Sequence, residues 1–255
     1  MPIYLNTPEG LKLESQMAEK WPETMWPISV DFLRSLPPVL LPDCAGLHRL
    51  RYPWELLELI NRILADRIKD TRIDKNTEIG NYVNIVGPVW IEDGVEIYPF
   101  SSLCGPLYIG KNVIVGNNTN LRHVVIGASS VVGFGSEIAR TVIGEQCMLH
   151  RNYVGDSLLA ERVFVGGGTS TSNFRLDGDT VKTWVNGEKY DTDLPKFGII
   201  VGNNTRFGAD CKTMPGIKIG SNCIVGPRST LFHDLPNNMQ TKVQQELQIK
   251  KRLDL

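Results

Sequence analysis

No long apolar run, no CxxC pair and no excess of either charge occurs in this 255-residue chain. Each absence excludes something. No stretch approaches the ~20 apolar residues of a membrane-spanning helix, and the N-terminus MPIYLNTPEGLKLESQ has no apolar signal core, so neither a membrane partner nor secretion is expected. Lys plus Arg total 27 against 28 Asp plus Glu, a net charge of −1, which offers nucleic acid no general electrostatic attraction. Five scattered cysteines, Cys44, Cys104, Cys147, Cys211 and Cys223, read as reduced thiols packed as small hydrophobes rather than as a disulfide or zinc framework. The expected setting is the cytoplasm.

What is present is a repeat of six. Counting from Ile73, aliphatic residues recur at Ile79, Ile85, Ile91, Ile97, Leu103, Ile109, Val115 and Leu121. Four residues after each runs a second series, mostly small or β-branched: Thr77, Val83, Val89, Val95, Ser101, Leu107, Val113, Thr119 and Val125. A period of six is not helical, but it is compatible with strand alternation. Each hexad supplies a short strand and a corner, and three hexads make one triangular coil. Asn and Gly at the remaining slots, as in Gly116-Asn117-Asn118, tolerate positive φ at the corners. With occasional one-residue deletions the register continues through Ile126, Val132, Ile138, Ile143, Leu149, Val154, Leu159, Val165 and Thr171. It resumes at Val201 and ends at Leu231. The expected fold is a mainly β parallel β-helix of about eight coils over residues 71–234.

Three segments stand outside the register. Residues 172–200 form an excursion in which VKTWV-NG-EKYDT predicts a β-hairpin turning at Asn186-Gly187. Within residues 1–70, YPWELLELINRILADRIKD predicts an amphipathic helix over about 53–69, expected to cap the open first coil. Residues 235–255 read as a C-terminal helix beginning near Asn237.

Few residues suited to chemistry lie in the ladder. Of four histidines, His48 and His233 fall outside its body, and only His123 and His150 lie within it. Two ladder histidines 27 residues apart do not supply the three needed for a shared zinc site, so no metal is expected.

The segments LHRNYVGDS, ERVFVGGGTSTSNFRLDG and LPKFGIIVGNN make the pattern specific. The hexads resemble the hexapeptide-repeat superfamily, whose members form left-handed parallel β-helices and are typically homotrimers. Residues 52–232 resemble the C-terminal acetyltransferase domain of the bifunctional enzymes that acetylate glucosamine-1-phosphate and then uridylylate the product. The archaeal sugar-1-phosphate nucleotidylyltransferase/acetyltransferases look closer still. The Gly-rich signature of the nucleotidyltransferase half has no counterpart in this sequence, so uridylyl transfer is not expected.

The resemblance implies an acetyl-CoA-dependent N-acetyltransferase acting on a small sugar phosphate, with active sites between subunits of a homotrimer. His150 matches the general base, Tyr153 and Asn173 match residues that contact the amino sugar, and Lys196 matches a lysine that closes over the site. Arg122 and Arg140 sit near the positions that hold the sugar phosphate. Gly167 matches the small residue whose N–H holds the thioester oxygen. Acetyl-CoA is implied to lie near Ala209 and Gly226, with Arg228 toward its phosphates. Two departures bear on the acceptor: Phe164 stands where the bacterial enzymes carry an asparagine, and SNFRLDG replaces CNYDG. Galactosamine-1-phosphate or a nucleotide-linked amino sugar fits the same chemistry. The alternative is a catalytically inactive trimeric solenoid that binds a sugar nucleotide or a nucleotidyltransferase partner.

Overall fold

The computed structural model describes residues 3–4, 49–50, 52–185, 187–246 and 248–249. His48, Cys44 and Asn186 lie outside the described residues.

The hexads fold as their period dictates. Twenty-five short strands stack into three parallel sheets of eight, nine and eight strands, giving eight full coils and the start of a ninth. Face 1 runs from Arg72–Ile73 to Ile217–Ile219, face 2 from Glu78–Ile79 to Gln240–Thr241, and face 3 from Asn84–Val86 to Thr230–Leu231. The aliphatic series points inward as one column, with Ile91, Ile109, Ile126, Ile143, Leu159, Val201 and Ile219 all buried along face 1.

Pairing along that column measures each coil. Ile91 pairs with Ile109 eighteen residues on, while the steps from Ile109 to Ile126 and from Ile126 to Ile143 are seventeen. The step from Ile143 to Leu159 is only sixteen. The next, from Leu159 to Val201, is forty-two and contains the excursion.

The slot four residues after each aliphatic residue stitches one coil to the next. Ser101 Oγ donates to the Gly116 carbonyl at 2.9 Å and accepts from the Thr119 N–H at 3.3 Å. Ser130 Oγ does the same with Gly144 and Cys147. A small hydroxyl there satisfies buried backbone groups that the corner leaves unpaired. Cys147, Cys211 and Cys223 occupy equivalent slots, and all three are free and buried. Cys104 is free and partly exposed.

The amphipathic segment forms helix α1, Glu55–Arg67. It does not cap the first coil. Its buried face, Leu56, Leu57, Leu59, Ile60, Ile63 and Leu64, packs on Tyr108, Val125, Val142, Leu158 and Ile200, which point outward from face 1. Those outward residues are apolar over five coils, so the sheet exterior supplies a larger surface than the open end. Among the described residues nothing covers the first coil fully, and Ile73 and Ile79 remain 40% and 42% exposed.

The predicted hairpin pairs Lys182–Val185 with Glu188–Asp191. Gly187 has φ 83°, as a tight two-residue turn requires. Lys218, 6% exposed in its side chain, anchors the hairpin to face 1. Its ammonium meets Asp234 at 2.6 Å and donates to Thr183 Oγ1 at 2.9 Å and the Trp184 carbonyl at 2.6 Å.

The expected C-terminal helix is replaced, over the described residues, by more ladder. Leu235 bridges to Ile219, and Gln240–Thr241 pairs with Ile224–Val225. Asn237-Asn238 repeats the corner chemistry of Asn203-Asn204, with Asn238 at φ 61°. A residue held there cannot sit inside a right-handed helix.

Candidate active site

The predicted residues fall into two groups at two corners of the prism. The first lies between faces 2 and 3. That corner has four residues in most coils, such as Gly133–Ser136, but only His150, Arg151 and Asn152 in the sixteen-residue coil. Asn152 turns inward and donates to the Gly166 and Thr169 carbonyls, which leaves His150 and Arg151 outside and exposed. His150 lines a shallow groove of about 490 Å³ with Gly133, Phe134, Arg151, Phe164, Gly166, Gly167 and Ala209.

The groove is chemically simple. The His150 ring meets Phe164 edge-on at 5.4 Å, and its nitrogens have no hydrogen-bond partner among the described residues. Gly167 lies over His150, where an added Cβ would sit 3.8 Å from the imidazole-bearing Cβ. The Gly167 carbonyl accepts from the Asp210 N–H, while the Gly167 N–H donates to no described residue. Ala209 is exposed and keeps the upper wall low. An imidazole and a free amide N–H therefore share one groove. Acyl transfer to an amine can use both groups, one to take a proton and one to hold an oxyanion.

Gly226 belongs to the same corner two coils above Gly167 but is buried, its N–H bonded to the Thr241 carbonyl. Arg228 is exposed, with Nη1 3.4 Å from Gln245 Oε1.

The second group lies at the corner between faces 3 and 1. Arg140 forks onto Asp156, with Nε to Oδ1 at 2.6 Å and Nη2 to Oδ2 at 2.8 Å. That carboxylate, foremost through its hydrogen bonds, raises the Arg140 pKa further. Asp156 is 7% exposed and also accepts from Asn173 Nδ2 at 2.5 Å. The Asn173 carbonyl accepts the N–H of Phe197, so Lys196 sits beside Asn173 where the excursion rejoins the coil, and it is exposed. Tyr153 and Asn173 converge over Gly155: a Cβ there would lie 2.9 Å from the tyrosine hydroxyl and 2.6 Å from the amide nitrogen. Arg122 pairs with Glu137, and its Nε is buried without a partner.

A single chain does not bring the two groups together. Between them lies one side of the prism, some six residues at ~3.3 Å each, or ~20 Å. Asp156 was not anticipated. Its place in VGDS carries no signal of the two hydrogen-bonding partners that converge on it from other coils.

Comparison with known proteins agrees with the repeat. The model for "Bacterial transferase hexapeptide (six repeats)" matches residues 88–123 and 198–233. The bifunctional protein GlmU of Methanococcus aeolicus is 34% identical over 200 residues, covering 78% of this chain and 47% of the relative. The GlmU of Methanocaldococcus jannaschii is 33% identical, covering 78% and 48%. A bifunctional sugar-1-phosphate nucleotidylyltransferase/acetyltransferase of Sulfurisphaera tokodaii is 32% identical, covering 72% and 45%. The chain thus spans about half the length of the curated relatives it matches. The solved structure of PerB from Caulobacter crescentus, at 16% identity over 72% of this chain and 59% of that one, has a TM-score of 0.26. Hexads in sequence, three stacked parallel sheets and relatives at a third identity agree: the chain carries the bacterial transferase hexapeptide repeat.

Proposed function

We propose that the protein is an acetyl-CoA-dependent N-acetyltransferase for an amino-sugar 1-phosphate or a nucleotide-linked amino sugar. One observation carries the reading: an exposed His150 faces a groove whose glycine wall offers an uncommitted N–H at Gly167. The printed activity of the Sulfurisphaera relative supports the same class of chemistry.

In this reading His150 takes a proton from the acceptor amine as its nitrogen forms a bond to the thioester carbonyl carbon. The carbonyl π electrons move onto oxygen, and the Gly167 N–H stabilises that oxyanion. Collapse re-forms the carbonyl and breaks the carbon–sulfur bond. The thiolate leaves and is protonated to free CoA. Ala209 and Gly167 keep the groove low enough for the donor to lie along it. Tyr153, Asn173, Lys196 and the Arg140–Asp156 pair form an acceptor-binding corner. The ~20 Å between the two groups is closed when copies of the chain associate side by side, with the groove of one copy against the acceptor corner of the next. A homotrimer does this three times over.

The test is thiol release from acetyl-CoA with glucosamine-1-phosphate, galactosamine-1-phosphate and nucleotide-linked amino sugars. Wild type should turn over with at least one acceptor, and His150→Ala should lower kcat by roughly 10²–10⁴-fold with CoA affinity retained. No turnover together with no CoA binding would sink the enzyme reading.

A further inference from the structure

We infer that Arg151 and Arg206, rather than Arg122 and Arg140, hold the phosphate of the ligand that enters the His150 groove. This rests on the acyl-transfer reading and deepens it by assigning the anion's partners.

The four arginines differ in what already occupies them. Arg140 gives Nε and Nη2 to Asp156, and Arg122 is paired with Glu137. The Arg140 fork is matched to a carboxylate and Arg122 gives one Nη2 to another, so the charge of each is offset by its partner. Arg151 and Arg206 are exposed, and neither guanidinium has a hydrogen-bond or ion-pair partner among the described residues. Arg151 lines the groove. The carbon of the Arg206 guanidinium lies 5.0 Å over the ring of Phe164, which lines the same groove and touches His150 edge-on.

The chemistry of the surroundings favours an anion between them. A guanidinium stacked on an aromatic face keeps its in-plane N–H donors free, and that fork matches the geometry of a phosphate. The remaining lining is Gly133, Phe134, Phe164, Gly166, Gly167 and Ala209, which supplies no charge to compete with the arginines. The nearest carboxylate by sequence, Asp210, sits against Gly168 on the neighbouring coil: a Cβ on Gly168 would lie 2.1 Å from its Oδ1. Phe164, where bacterial relatives are expected to carry an asparagine, thereby gains a role as the platform that positions Arg206.

The ligand chemistry is a phosphate ester, from either the coenzyme or the acceptor sugar, and the experiment separates the two. The 255-residue protein and its Arg151→Ala, Arg206→Ala, Arg206→Lys and Arg122→Ala variants are titrated calorimetrically with CoA, pantetheine, glucosamine-1-phosphate and glucosamine. With CoA as the source, Arg151→Ala and Arg206→Ala should each weaken CoA binding by about tenfold or more, the loss of a charge-assisted contact. Pantetheine affinity should stay within about twofold, Arg206→Lys should recover part of the loss, and Arg122→Ala should change nothing. The same pattern for glucosamine-1-phosphate against glucosamine assigns the site to the sugar phosphate instead. Unchanged affinity for both phosphate ligands in both alanine variants overturns the inference alone, as does an equal loss for pantetheine or glucosamine. Wild type that binds neither CoA nor glucosamine-1-phosphate overturns the acyl-transfer reading and this inference with it.

Discussion

At the scale of single residues, Asp156 organises its corner. It is a nearly buried carboxylate with a guanidinium fork on one side and an amide on the other. Removing the fork leaves the charge stranded, which costs more than the pair is worth intact. Arg140→Met should therefore destabilise the protein by about 3 kcal/mol in urea or guanidinium denaturation. Asn173→Ala, which removes one neutral donor, should cost about 1–2 kcal/mol. Equal effects would mean that Asp156 is better solvated than its burial implies. The cysteines give a second test. Burial pushes the Cys147 thiol up to about 12 and raises that of Cys211 as well. Thiolate is the reactive form, so both should stay unlabelled by a maleimide at pH 8 while partly exposed Cys104 reacts, as peptide mass mapping would show. His150 stood out as a candidate because the segment that carries it, LHRNYVGDS, is contiguous. The sequence hid the fates of Arg122 and Arg140, because the carboxylates that hold them are fifteen and sixteen residues away, one coil on.

At the scale of elements, hexads were readable because each strand and corner is local. The packing of whole elements was not. The apolar stripe of α1 is plain in the sequence, but its target depends on Tyr108, Val125, Val142, Leu158 and Ile200, spaced so that no local pattern links them. Over the described residues the expected C-terminal helix gives way to ladder because Asn237-Asn238 is a corner signal embedded in a helix-compatible stretch. The hairpin was correctly placed, but its rigidity rests on Lys218, which lies beyond it in sequence. Lys218→Met should leave the Asp234 carboxylate and the Trp184 carbonyl without their shared cation. The expected result is faster amide exchange and earlier protease cleavage within residues 182–191, with the ladder amides of faces 2 and 3 unchanged. A hairpin that exchanges at the wild-type rate would mean that its other contacts, Thr183 Oγ1 to the Gly216 carbonyl and Tyr190 against Tyr52, hold it without Lys218.

At the scale of the whole molecule, a solenoid is stabilised mainly between neighbouring coils. Position along the axis should therefore set the cost of losing a core side chain. Val132, fully buried in mid-column, should cost about 2 kcal/mol or more on truncation to Ala, while Ile79 at 42% exposure should cost clearly less. A reversed order in thermal unfolding would mean that the first coil is covered in solution. The three faces also differ in what they offer. Face 1 is covered by α1, face 2 presents Ile114, Val131, Met148, Phe164 and Ile224, and face 3 carries Arg122, Glu137, Tyr153 and Lys212. If the acceptor corner and the His150 groove meet between copies, sedimentation should give a trimer, and mixing His150→Ala with Asn173→Ala chains should restore activity to some sites.

Helix α1 runs alongside the stack rather than across its end, and this has a bearing on the order of synthesis. Trp54, at the start of the helix, rests on Phe197, with ring centroids 6.2 Å apart. The two are 143 residues apart in the chain. At typical translation rates the nascent helix waits roughly ten seconds before its full docking surface leaves the ribosome. Coils can form on its C-terminal half in turn as each hexad emerges, so the helix acts as a splint laid down before the structure it braces.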